Sequence, residues 1–111
     1  VADIFEVAAP RLYRPEKPVL DVKYRSYIRS LKCCVPNCRR GYIEAAHTGP
    51  HGIGQKSSDR SCIPLCAWHH RTGPNSLHQL GPVKFQEHHK VSISVQVEAL
   101  NIFYRENLEG K

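Results

Sequence analysis

The chain has 111 residues, with 16 Lys and Arg against 10 Asp and Glu, a formal net charge of +6 and seven histidines. A chain of this length makes one domain, near the lower end of what buries a sufficient core unaided, so an internal staple would help it. No run is long and apolar enough to cross a bilayer or act as a secretory leader, and five cysteines, an odd number, argue against a secreted disulfide framework.

Metal-bound thiolates in a reducing, cytoplasmic setting are expected instead, with no membrane partner. The basic balance favours phosphate-bearing partners. Residues 1–20 carry Pro10, Pro15 and Pro18 among Arg11, Arg14 and Lys17, which predicts an extended arm ahead of a domain spanning 21–111. From Asp21, a suitable N-cap, Tyr24, Tyr27, Ile28 and Leu31 recur at helical spacing, so a helix is expected to pack on the core with Lys23, Arg25 and Arg29 outward.

CVPNCRRG then reads as a tight turn closed by Gly41, and YIEAAH (42–47) as a short strand in which Ile43 and Ala45 alternate with Glu44 and Ala46. TGPHGIGQKSSDRS is too long for a simple hairpin turn. Ile63, Pro64 and Leu65 make a second short strand, and Cys66 opens a helix that cannot pass Gly73-Pro74. Pro82 starts another helix, anchored by Val83 and Phe85 and ending in His88 and His89, whose positive form suits a helix C-terminus. A last helix begins near Ser94, with Val97, Leu100 and Tyr104 at helical spacing.

Chemistry concentrates in CIPLCAWHH. Adjacent His69 and His70 on a helix point about 100° apart, so they cannot both serve one small ion. Cys66-x-x-His69 can instead pair with Cys34 and Cys38 to form a closed, structural four-ligand zinc centre. Cys33 is the alternative to Cys34. The latter is preferred because Pro36 and Asn37 then lie inside the loop, with Cys33 a small buried hydrophobe. His70 is left over beside His47, and a spare histidine next to a completed staple points to a second metal used for chemistry.

Two blocks, AAHTGPHGIGQKSSD and IPLCAWHHRTG with LHQLG behind it, resemble the phage-associated, zinc-knuckle-containing branch of the HNH endonucleases. The resemblance covers roughly residues 21 to 90. It implies an α+β chain of the small ββα-metal fold, in which a hairpin and a helix hold one catalytic ion, here with a structural zinc site and flanking helices. The resemblance assigns His47 as general base, His70 as a ligand of the catalytic ion and His78 as a second ligand, displaced by the insertion TGPNS. Where many relatives have a metal-binding residue, this chain has Ala46, so Asp59, His51 or a water is needed to complete the ion's shell; Asp59 offers the oxygen that Mg²⁺ and Mn²⁺ prefer.

Ser61 stands at the place of the family's middle asparagine. Lys56, Arg60 and Arg71 are expected to contact phosphates. The implied activity is hydrolysis of DNA, with RNA as an alternative, at low sequence preference, using structural Zn²⁺ and a catalytic Mg²⁺ or Mn²⁺, with Ni²⁺ or Zn²⁺ as further options. The expected assembly is a monomer or weak dimer. A non-catalytic zinc-stabilised nucleic-acid-binding module is the main rival, and it leaves His47, His70 and His78 without a role. A zinc deaminase fits less well, since its motif requires His-x-Glu and Pro-Cys-x-x-Cys.

Overall fold

A computed structural model describes residues 21–49 and 58–110. The N-terminal arm read for residues 1–20 lies outside the described residues, as do Lys56 and His51. Asp21 caps the first helix, α1 (Val22–Arg29), by accepting from the backbone N–H of Tyr24 at 3.0 Å. This satisfies one of the donors that a helix start leaves open. Tyr24 and Ile28, four apart, are the buried residues of its inner face.

The knuckle loop follows, with Asn37 and Tyr42 at positive φ (66° and 54°). Strands β1 (Ile43–His47) and β2 (Cys62–Cys66) form a two-stranded antiparallel sheet in which Glu44 pairs with Leu65, Ala46 with Ile63 and His47 with Cys62. A 3-10 turn at Asp59–Ser61 leads into β2. Together with the helices this gives the α+β class expected from the sequence.

The pleat sends alternate residues to opposite faces, and each face is covered. Ala46, Ile63 and Leu65 join Cys33, Val35, Leu77, Phe85 and Ile93 in one apolar cluster. Cys62 and Ala45 meet Tyr24, Ile28 and Tyr104 in a second. Tyr24 stands edge-on to Tyr104 with ring centroids 4.9 Å apart, a preferred aromatic geometry. The Arg60 guanidinium lies 4.8 Å from the Tyr24 ring and 5.0 Å from the Tyr104 ring, closing the cluster from outside.

The segment after β2 departs from expectation. Instead of an α-helix opening at Cys66, the chain makes a single π-helical turn, Trp68–Thr72. Gly73 explains the tight stop: its N–H donates to the Trp68 carbonyl at 2.9 Å, and a Cβ there would come within 2.7 Å of that carbonyl and of the indole. Ser76 then caps α2 (Leu77–His89), accepting from Gln79 N–H. This helix is two pieces joined at Gly81 (φ 81°, ψ 164°), and Pro82 opens the second piece, as its fixed φ and missing N–H suit. Its end is structural, since His89 donates from Nε2 to the Asn75 carbonyl at 2.7 Å and packs on Phe85.

Ser92 caps the last helix, α3 (Ile93–Asn107), close to the expected start. No helix of the described residues is long and apolar enough to cross a membrane.

Phe85 is fully buried, whereas Val83, two residues earlier on the same helix, is 66% exposed. Phe85→Ala is therefore expected to cost about 3–5 kcal/mol in denaturant unfolding, while Val83→Ala should stay within about 0.5 kcal/mol of the parent. Equal effects of the two substitutions would contradict this packing.

Candidate metal centre and histidine cleft

The loop between α1 and β1 brings Cys33 and Cys38 against Cys66 at the end of β2 and His69 in the π turn, with the four potential ligand atoms mutually within 4.8 Å. The Cys38 and Cys66 sulfurs are 3.8 Å apart, and His69 Nδ1 lies 3.7 Å from Cys33 Sγ and 3.2 Å from Cys66 Sγ. A tetrahedral zinc bonded to sulfur at about 2.3 Å and nitrogen at about 2.0–2.1 Å separates its ligands by about 3.5–3.8 Å. Two of these edges match that range and the third is slightly short, so this donor set can hold a metal such as zinc. The backbone N–H of His69 also points at Cys66 Sγ, at 3.4 Å.

Burial, helped by repulsion from His89 and Arg40, holds the His69 imidazole below its usual pKa, in the neutral form that a metal needs.

The first thiol of the cluster is Cys33, where the sequence reading preferred Cys34. The backbone explains the choice. The Cys34 N–H donates to the Pro64 carbonyl at 2.9 Å, which pins this residue alongside β2, and Cys34 packs beside the apolar cluster instead of joining the ligand group. Burial pushes its thiol up to about 11.

His70, His78 and His47 stand about the two faces of the hairpin. On the face of Ala46, Glu44 accepts from His70 Nδ1 at 2.6 Å and grips Arg71 through both its oxygens, Nη2 at 2.7 Å and Nε at 3.1 and 3.2 Å. The Arg71 hydrogen bond is the main cause that holds the Glu44 carboxyl below its ordinary pKa, aided by His70 and opposed by burial. With its Nδ1–H given to Glu44, His70 keeps Nε2 as the nitrogen with a lone pair. The His78 ring lies 4.6 Å from the His70 ring, so the structure does bring these two together despite the TGPNS insertion. Burial, then the charges of His70 and Arg71, lowers the His78 pKa.

On the other face His47 meets Asp59, Nε2 to Oδ1 at 2.7 Å. Asp59 had been expected beside His70 and His78, but among the described residues no metal-capable group of three joins them; the group that contains Asp59 is His47, Asp59 and Cys62. The reason is local. Asp59 opens the 3-10 turn and is only 2% exposed, and its Oδ2 accepts the Asp21 N–H at 2.6 Å and pairs with Arg25 Nε at 3.2 Å.

Arg60 is likewise engaged, bound to Asp21 at 2.9 Å and Glu109 at 3.2 Å, so its position serves the fold. Ser61 ties the hairpin mouth by accepting the Gly49 N–H on its hydroxyl and the Thr48 hydroxyl on its carbonyl. The two faces converge at one opening: His47, Thr48, Gly49, Leu77, His78, Gly81, Pro82 and Ile93 line a cleft of about 700 Å³.

Sequence reading missed Glu44, which no spacing rule links to a histidine 26 positions away; its placement opposite Leu65 on the helix-facing side of β1 is the only signal. No protein-family model, curated protein or solved structure matches the chain.

Cys33→Ser is expected to abolish stoichiometric zinc binding and, with it, on the order of 10 kcal/mol of metal-linked stability. Cys34→Ser should keep its zinc and a cooperative melt. Metal analysis with thermal unfolding checks both, and the reverse pattern would restore Cys34 as the ligand.

Proposed function

We propose that this chain is a metal-dependent endonuclease of the HNH type, hydrolysing DNA phosphodiester bonds with low sequence preference and stabilised by zinc on Cys33, Cys38, Cys66 and His69. The observation that carries this reading is the cleft on which His47 and His78 open together, with His70 in ring contact with His78. It sets an imidazole with a fixed hydrogen-bond partner beside a pair of imidazoles, one of them with its Nδ1 engaged by a carboxylate. A purely structural set of histidines would not need both.

His70 and His78 are the residues that would hold a catalytic Mg²⁺ or Mn²⁺. Two protein ligands suit such ions, which keep several waters and take phosphate oxygens as further ligands. When bound, the cation would offset negative charge on the scissile phosphate and the departing 3′ oxygen.

The chain's own groups do the rest. His47 accepts a proton from the attacking water, a task for which a neutral imidazole is suited near neutral pH. Glu44 keeps His70 in one tautomer and one orientation. Leu77, Pro82 and Ile93 wall the cleft with apolar surface, which strengthens electrostatic interactions inside it. Arg71 is about half exposed on the Glu44 carboxylate, and its outer side is the part that would meet a phosphate.

Supercoiled plasmid incubated with the zinc-loaded chain and Mg²⁺, Mn²⁺ or EDTA tests this. Nicked or linear product is expected with either cation and none with EDTA. His47→Ala should stay folded and zinc-replete while cleavage falls about 10²- to 10⁴-fold. A chain that retards DNA in a gel yet never cuts it, under any of these cations, would instead be a binding module.

A further inference from the structure

We propose that Asp59 is the positioning residue for His47: its buried carboxylate takes the imidazole Nε2–H, which fixes the tautomer whose Nδ1 accepts the proton. This deepens the nuclease reading and rests on it for the identity of the reaction, though the tautomer itself can be observed without any cleavage.

An ionised carboxylate can only accept, so the 2.7 Å contact between Asp59 Oδ1 and His47 Nε2 requires the proton to sit on Nε2. Asp59 is itself held from three directions. Its Oδ2 takes the N–H of Asp21, the residue that caps α1, and pairs with Arg25 one turn along that helix. Its backbone opens the 3-10 turn whose Ser61 is bound to Thr48, next to His47. A group fixed by a helix start, a turn and a cation cannot rotate to follow the imidazole; the imidazole must adapt to it. Burial works to raise the Asp59 pKa, but the Asp21 N–H, His47 and Arg25 together hold it below the ordinary value, so the carboxylate stays ionised.

A metal shared by His47, Asp59 and Cys62 is the rival for the same atoms. Two ligands at about 2.0–2.1 Å on a tetrahedral ion lie about 3.3 Å apart, and the observed 2.7 Å is a hydrogen-bond length. The Arg25 guanidinium already occupies the cationic place beside Asp59.

Asp59→Asn gives a sharp test because of this asymmetry. The amide has one oxygen; the Asp21 N–H demands it on the Oδ2 side, where the Arg25 charge also favours it. The NH₂ is then left facing His47, which must present an unprotonated Nε2 and move its proton to Nδ1. Nitrogen-15 NMR of the imidazoles in the zinc-loaded chain, at about pH 8 where an ordinary imidazole is neutral, reads the tautomer directly, with His47→Ala identifying the signal.

The expected result is Nε2–H in the parent and Nδ1–H in Asp59→Asn. In the nicking assay that variant should lose kcat up to the loss seen for His47→Ala, about 10²- to 10⁴-fold, with KM little changed, as when a carboxylate that orients a catalytic imidazole is replaced by its amide. An Nδ1–H tautomer in the parent, an unchanged tautomer in the variant, or retained kcat would each overturn the proposal. So would a metal equivalent beyond the zinc that binds the parent and is lost in Cys62→Ser. If Asp59→Asn does not fold, the parent's tautomer decides alone. A parent that shows Nε2–H but cuts no DNA would remove the nuclease reading and leave the Asp59–His47 pairing standing.

Discussion

The thiol and imidazole cluster fixes where everything else can be. Cys33 and Cys38 come from the loop after α1, Cys66 ends β2 and His69 lies in the π turn, so a single bound ion would tie three consecutive parts of the chain at one point. That tie would set the direction of the π turn, and with it the direction of His70, the very next residue. His69 turns in toward the sulfurs and His70 turns to Glu44. A domain of this size has little apolar core to enforce such an arrangement by packing alone. The energy of holding a metal, added where the chain changes from strand to turn, would do what a larger protein does with buried side chains.

The hairpin then separates two duties by its pleat. Glu44 and Ala46 face the π turn and α2, while Ala45 and His47 face α1 and the Asp59 turn. A register slip of one residue would exchange the faces and put His47 where Ala46 sits, against the core. The register is held from both ends. Ile43 pairs with Cys66 beside the cluster, and Thr48 bonds to Ser61 at the opposite end. The cleft is lined by His47 from the last position of β1 and by His78 from the start of α2.

Much of this is readable in the sequence, and the parts that are not share a cause. Asp21 as a cap, the alternation of YIEAAH, the Pro82 start and the last helix's start near Ser94 are local signals, decided within a few residues by backbone hydrogen bonding and by the fixed φ of proline, and they stand where expected to within a residue or two. The choice between Cys33 and Cys34 depends on which of two adjacent residues is pinned by the Pro64 carbonyl, a contact 30 positions away. The pairing of Asp59 with His47 depends on α1 presenting Asp21 and Arg25 to the same carboxylate. Local rules cannot see such contacts, since they exist only once distant segments have packed. The π turn is a similar case, because a helix ended by Gly73-Pro74 is expected from sequence, but its widening to an i to i+5 bond from Gly73 to Trp68 goes with the space that Gly73 leaves for the indole.

The charge around the cleft is arranged to a common end. Arg25, Arg60 and Arg71 each stand against a carboxylate: Asp59, Asp21 with Glu109, and Glu44. Lys32 and Arg39 of the knuckle are exposed, while Arg40 stands over the Trp68 ring, 4.7 Å from its centroid, and acts on His69. A histidine ringed by unpaired cations would be a poor base and a poor metal ligand, since neighbouring positive charge disfavours a proton and repels an ion. Neutralising the inner ring keeps the imidazoles usable, and leaving the outer ring positive still attracts a polyanion over the distance that salt permits. The same carboxylates that silence the inner cations are those that hold His47 and His70 in place, so orientation and charge balance are supplied by single residues, Asp59 on one face of the hairpin and Glu44 on the other.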